Sequence, residues 1–187
     1  MFTEGSKLHI ILASGSPRRR ELVAGCGLRF TVADRFGVDE RYPASLPPHE
    51  VPLYLARLKS AGYPLPLATD DVLVTADTVV ILDGQILGKP AGRDDAVAML
   101  ARLSGRQHSV VTGVVARSAV HEESFSERTE VWFDELAHGE IEYYVDRYRP
   151  FDKAGSYGVQ EWIGYVAIRR IEGSFYNVMG LPIATLY

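Results

Sequence analysis

Cysteine is almost absent: Cys26 is the only one in 187 residues. An intrachain disulfide is therefore impossible, and a lone thiol suits a reducing compartment, so a cytoplasmic location is expected. Long apolar runs are missing too. The stretch from Leu8 to Ala13 falls far short of the ~20 residues a spanning helix needs. Basic residues follow it instead of preceding it, which is unlike a signal peptide. Excess positive charge is also lacking, since 20 Lys and Arg against 24 Asp and Glu leave a net charge of −4. That argues against a general binder of nucleic acid or anionic membrane, while leaving room for a local basic cluster on a small anion. There is no repeat or low-complexity tract, and His9, His49, His108, His121 and His138 are scattered without metal-ligand spacing. What is present is an ordinary globular composition, 47% hydrophobic and 24% charged, enough for a single domain over residues 1–187, with two lobes admissible.

The hydrophobic pattern alternates strands and helices. Strands are expected at Lys7 to Ala13, Phe30 to Ala33, Val72 to Ala76, Val110 to Arg117 and Phe125 to Phe133. Helices are expected at Pro17 to Ala24, Glu50 to Ser60, Asp94 to Ser104 and Gly139 to Tyr148. Val79 to Leu82 and Gln85 to Leu87 flank Asp83-Gly84, a hairpin signal because both central positions of a type I′ turn need positive φ. Trp162 to Ile171 reads as a strand with a partner near Gly173 to Met179, and Tyr42 to Pro48 as a proline-rich surface connection. Hairpins and crossovers together make the fold α/β with a mixed sheet.

Four stretches carry candidate chemistry. In Ala13-Ser-Gly-Ser-Pro-Arg-Arg-Arg-Glu21, Ser16 suits an N-cap and Pro17 the first helical position. Three arginines would then crowd the positive end of a helix dipole, where an anion is the natural counterpart; the same run also reads as a solvated basic face. In Val74-Thr-Ala-Asp-Thr-Val-Val80, Asp77 is expected at the C-terminal end of a core strand, where α/β proteins bind ligands. Its plain alternative is a turn residue capping Thr78. Gly88-Lys-Pro90, Lys59 and the acidic pair in Val38-Asp-Glu40 are each ordinary surface features alone, although two acids could hold Mg²⁺. In Phe151-Asp-Lys-Ala-Gly-Ser-Tyr-Gly-Val-Gln160, small residues would let backbone lie against a flat ligand, and Gln160 offers donors and an acceptor to a base edge. Asp152 and Lys153 read as a local pair. A second glycine-punctuated loop, Glu172 to Pro182, follows.

Together these segments resemble the Maf family of nucleoside triphosphate pyrophosphatases, also called septum formation proteins. The likeness runs through Leu12 to Glu21, Val38 to Glu40, Leu55 to Lys59, Ala76 to Val79, Leu87 to Pro90, Asp152 to Gln160 and Gly173 to Pro182, in the family's order. The resemblance implies an inosine-triphosphatase-like fold, a mixed twisted sheet with helices and two lobes around a central cleft, in a homodimer. It implies hydrolysis of a nucleoside triphosphate to the monophosphate and pyrophosphate with Mg²⁺ or Mn²⁺. The family's acidic catalytic position falls on Asp77 and its other functional charges on Glu40, Lys59 and Lys89. The Ser14 to Arg19 loop, with Ser14, Ser16, Arg18 and Arg19, would hold phosphate, and Glu40 and Asp77 the metal. Arg18, Thr78 and Gln160 match the subfamily acting on dTTP and UTP, whereas the 7-methyl-GTP subfamily carries Trp, Gln and Glu there. Family members usually extend further after the Gly-Leu-Pro segment, while this sequence ends at Tyr187.

These implications yield one expectation. Asp77 would act as general base or orient the attacking water. A divalent ion on Glu40 and Asp77 would bridge phosphate oxygens, and Lys59, Lys89, Arg18 and Arg19 would stabilise the leaving pyrophosphate. Thr78 and Gln160 would read the pyrimidine. Two alternatives stand beside it: the same reaction on 7-methyl-GTP, against which Arg18, Thr78 and Gln160 argue, and a nucleotide-binding regulator of cell division without catalysis, disfavoured by so complete an acid and lysine set.

Overall fold

The computed structural model describes residues 8–187. In chain order its elements are β1 (His9–Leu12), α1 (Pro17–Gly25), β2 (Phe30–Val32), α2 (Val51–Ala61), β3 (Asp71–Leu82), β4 (Gln85–Leu87), α3 (Arg93–Leu103), β5 (Gln107–Arg117), β6 (Glu122–Phe133), α4 (His138–Tyr148), a 3-10 turn (Ala154–Ser156), α5 (Trp162–Val166), β7 (Ile168–Glu172), α6 (Phe175–Met179) and α7 (Ile183–Leu186). Seven strands form a mixed sheet in the order β2-β1-β3-β5-β6-β7, with β4 paired to β3. The chain divides into two compact units. The first holds residues up to Asp77 with Thr112–Glu127 and Gly180–Tyr187; the second holds Thr78–Val111 and Arg128–Met179.

In the first unit, parallel pairing sets the frame. Ile10 faces Phe30 on one side and Val72 on the other. Ile10, Leu12, Leu73 and Val74 are buried, as are Leu22 and Val23 of α1 and Val51, Leu55 and Ala56 of α2. Along β1 burial alternates, with Ile10 and Leu12 buried and His9 and Ile11 half-buried; Lys7 of that expected strand lies outside the described residues. Helix α1 starts as its sequence predicts, with Pro17 first and the Ser16 hydroxyl accepting from the Arg19 N–H. Helix α2 lies hard against β5. A Cβ at Gly113 would sit 2.2 Å from the Leu53 nitrogen, so no larger residue fits there.

The second unit packs around Leu82, Leu100, Leu103, Phe133, Ile141 and Tyr144, all nearly inaccessible. The β3–β4 hairpin turns at Asp83 and Gly84, with φ of 51° and 73°, and Val80 pairs with Leu87 across it. The turn is the one its dipeptide predicts.

Three expectations are overturned. The runs Val72 to Ala76 and Val79 to Leu82 belong to one strand of twelve residues, so Asp77 lies within β3 and not at its end. Thr75, Thr78 and Val79 favour extended backbone, and the half-buried acid that suggested a break is met by a cation instead. Trp162 to Ile171 is helix α5 followed by β7, not one strand. Its aromatic and branched residues suit a strand, but the chain turns at Glu161, whose N–H bonds the Gly158 carbonyl at 3.0 Å. Gly164 then lies so close to the Val159 carbonyl that only glycine fits. Finally, Gly173 to Met179 supplies helix α6, and the partner of β7 is β6, with Val131 opposite Ile171.

A buried histidine links the sheet of the second unit to its loop. His108 Nε2 lies 2.7 Å from the Tyr157 hydroxyl, and both rings meet Phe133 edge-on. Burial lowers the His108 pKa to about 4 and raises that of Tyr157. Unfolded histidine titrates near ~6.5. Between those values the unfolded chain binds a proton that the folded chain refuses. The stability contributed by neutral His108 is therefore complete above about pH 6.5 and is lost as pH falls toward 4. The melting temperature is expected to drop over this window and to drop less in His108→Gln. Circular dichroism melts at stepped pH check this, and equal drops would exclude His108 as the cause.

Candidate active site

The first unit holds seven of the ten expected residues. Asp77, on β3, accepts a hydrogen bond from Lys59 Nζ, on α2, at 2.6 Å. The same ammonium lies 3.0 Å from Glu40 Oε2. Lys59 and Asp77 side chains are only 16% and 17% exposed, Glu40 54%, so the inner pair is the sheltered one and the outer acid the solvated one.

Lys59 arrives there because α2 is tied to the sheet at both sides of it. The Thr75 hydroxyl donates to the Ala56 carbonyl at 2.7 Å. Arg117 donates to the Ser60 hydroxyl at 3.0 Å and to its carbonyl at 2.7 Å. With Gly113 under the first turn of α2, the helix cannot slide without losing these bonds, and Lys59 is delivered to Asp77.

Arg19 is held by acceptors within its own chain. Its Nε donates to the Gly180 carbonyl at 2.7 Å, and Nη1 donates to the Ala76 carbonyl at 2.9 Å and to the Ser14 hydroxyl at 3.2 Å. One guanidinium thus holds together the Ser14–Ser16 turn, the residue before Asp77 and the glycine of the Gly-Leu-Pro segment. Burial pulls its pKa below the usual arginine value, Asp77 and Glu40 pull the other way, and Arg18 adds to the lowering; an arginine stays protonated regardless. The Ser14 hydroxyl also accepts from the Ser16 N–H at 3.2 Å. Arg18 is half-buried on the first turn of α1.

Thr78, Lys89 and Gln160 belong to the second unit. Thr78 follows Asp77 along β3, half-buried. Lys89 is exposed just after β4, and the Gly88 carbonyl beside it accepts the Gly155 N–H at 3.1 Å. That bond joins the lysine's turn to the loop that carries Gln160. The Gln160 Oε1 atom is buried and has no hydrogen-bond partner among the described residues.

Sequence reasoning passed over Thr75, Arg117 and Gly113, which contact the helix and not the expected ligand. It also passed over Lys153, treated as a local pair with Asp152. Lys153 is buried and reaches Glu161 as well, at 3.2 Å. A lysine within a run of small residues was the one available signal.

The sequence profile of the Maf-like protein family matches residues 9–187. The chain belongs to the Maf family. Among its relatives are proteins named dTTP/UTP pyrophosphatase. That of Porphyromonas gingivalis is 55% identical over 97% of this chain and 92% of its own length. That of Bacteroides thetaiotaomicron is 52% identical over 97% and 94%, and that of Bacteroides fragilis 49% identical over 100% and 97%. A solved HAM1 protein from Coxiella burnetii aligns over 67% of this chain and 73% of its own at 16% identity and a TM-score of 0.40, too distant to bear on the fold.

The threefold anchoring of Arg19 makes a stability prediction. Lysine keeps the charge but not the planar fork, and cannot reach all three acceptors. Arg19→Lys should cost about 1–3 kcal/mol by leaving carbonyls unpaired, seen as a lower midpoint in urea unfolding. An unchanged midpoint would mean the three bonds contribute little.

Proposed function

We infer that the protein is a nucleoside triphosphate pyrophosphatase that hydrolyses dTTP and UTP to the monophosphate and pyrophosphate. The observation that carries this reading is the ammonium of Lys59 set between Asp77 and Glu40 in a Maf chain. Asp77 is the general base, or orients the water that attacks the α-phosphorus, and Lys59 fixes its carboxylate. Hydrolysis of this kind leaves little covalent work for the protein, so most of the rate comes from positioning and electrostatics. Arg18 and Lys89 are assigned to the phosphate charge. The Ser14–Ser16 turn, stiffened by Arg19, is assigned to the phosphate oxygens, as backbone N–H groups at a helix start suit an anion.

Glu40 and Asp77 fit a divalent cation. Both are hard oxygen donors within reach of a single cationic atom. Mg²⁺ or Mn²⁺ is satisfied by one or two carboxylates when waters and substrate phosphates complete the shell. No larger group of His, Cys, Asp or Glu gathers among the described residues, so the fit rests on these two. When bound, such an ion neutralises phosphate charge. A cytoplasmic homodimer is part of the same reading.

Gln160 and Thr78 are assigned to the base. An unpartnered, buried Oε1 calls for a donor, and thymine and uracil present one at the ring N3–H, where cytosine presents an acceptor. A site built on a lost or gained hydrogen bond of this kind discriminates strongly.

Asp77→Asn should lower kcat by about a hundredfold or more with an unchanged fold by circular dichroism; near-normal turnover would remove Asp77 from the reaction. Stripping divalent cations with EDTA should abolish pyrophosphate release, and Mg²⁺ or Mn²⁺ should restore it. Gln160→Glu should weaken dTTP and UTP use relative to other triphosphates, and an unaltered preference would remove Gln160 from base recognition.

A further inference from the structure

A buried polar network surrounds the residue that follows Gln160. Tyr144, on α4, is fully buried. Its hydroxyl donates to Glu161 Oε2 and accepts the Gly158 N–H at 3.0 Å. The other Glu161 oxygen meets Lys153 Nζ at 3.2 Å, and that ammonium also donates to Asp152 at 2.8 Å. The Glu161 N–H closes the turn on the Gly158 carbonyl at 3.0 Å. One phenol therefore grips both ends of the Gly158–Glu161 turn, the first through its backbone and the last through its side chain. Gln160 lies inside that grip.

The arrangement is costly as a stability device. Lys153 and Glu161 side chains are 10% and 18% exposed, and taking two charges out of water commonly offsets their attraction. In some proteins a buried pair selects one conformation more than it adds stability, and a turn bearing a buried unpartnered acceptor is a place where one conformation matters. We propose that Tyr144, Glu161 and Lys153 are positioning residues that hold Gln160 in register to select the pyrimidine. The proposal rests on the assignment of Gln160 to the base. Neither Glu161 nor Tyr144 touches the substrate; they act through the turn.

The test compares kcat/KM for UTP with that for CTP. Tyr144→Phe keeps the ring and removes both hydroxyl bonds. It should lower the UTP:CTP ratio by roughly five- to tenfold, mainly through KM for UTP, with kcat for UTP within about twofold. Glu161→Gln keeps an acceptor for Tyr144 and weakens the Lys153 pair, so it should give a smaller loss, and Lys153→Arg should preserve more of the ratio than Lys153→Met. Gln160→Ala is the reference. If it collapses the ratio while Tyr144→Phe and Glu161→Gln leave it intact, the network is structural only and the proposal fails. A lower melting temperature in those two variants with an intact ratio overturns it in the same way. If Gln160→Ala itself leaves the ratio unchanged, the assignment of Gln160 to the base falls, and the proposal with it.

Discussion

The ion pair between Lys59 and Asp77 is the constraint around which the first unit is arranged. A carboxylate in the middle of a twelve-residue core strand is tolerable only beside a cation, because an unpaired buried charge is among the costliest features a fold can hold. That cation comes from another element, so α2 must sit at one height against the sheet. Thr75, Gly113 and Arg117 set that height through the Ala56 carbonyl, the Leu53 backbone and Ser60. These contacts concern the helix, yet their consequence is the placement of a single ammonium 2.6 Å from the acid.

The second unit solves a different problem by similar means. Its Gly158–Glu161 turn presents an uncharged amide, and the charges behind it do the holding. Tyr157 is anchored on His108 at one side of the turn and Glu161 on Tyr144 and Lys153 at the other. Fixing a turn at both flanks reduces the conformations its middle residue can sample, which is the entropic cost that a binding group must otherwise meet when the ligand arrives.

Much of this was legible in the sequence, for reasons that are local. Ser16-Pro17 starts a helix because its capping chemistry lies in adjacent residues. Asp83-Gly84 turns a hairpin because two residues alone decide the φ angles. The acids and lysines of the site are ordinary surface features one by one, and only the resemblance of their order to the Maf family singled them out. What was not legible depends on partners distant in the chain. Asp77 looked like a strand terminus because its cation is Lys59, 18 residues away. Trp162 to Ile171 looked like a strand because β-favouring side chains outweighed Gly164, whose meaning is a close approach to the Val159 carbonyl. Lys153 looked like half of a local pair because its second acid, Glu161, is brought to it by the turn. Arg19 was read by its charge alone, and its three carbonyl and hydroxyl acceptors come from residues 14, 76 and 180.

The charges of the first unit also explain why further basic residues are needed from elsewhere. Lys59 is opposed by Asp77 and Glu40, and Arg19 lies in the field of both acids. Two cations and two anions leave this cluster near neutrality before any ligand arrives, while a triphosphate brings several negative charges close together. An assembly balanced on its own cannot also balance the substrate. On the proposed reading the added charge would come from other groups, Arg18 on the first turn of α1 among them. The chain's overall charge of −4 is no obstacle, because screening confines the relevant electrostatics to a Debye length of about 8 Å, and within that range the sign is set by a few side chains.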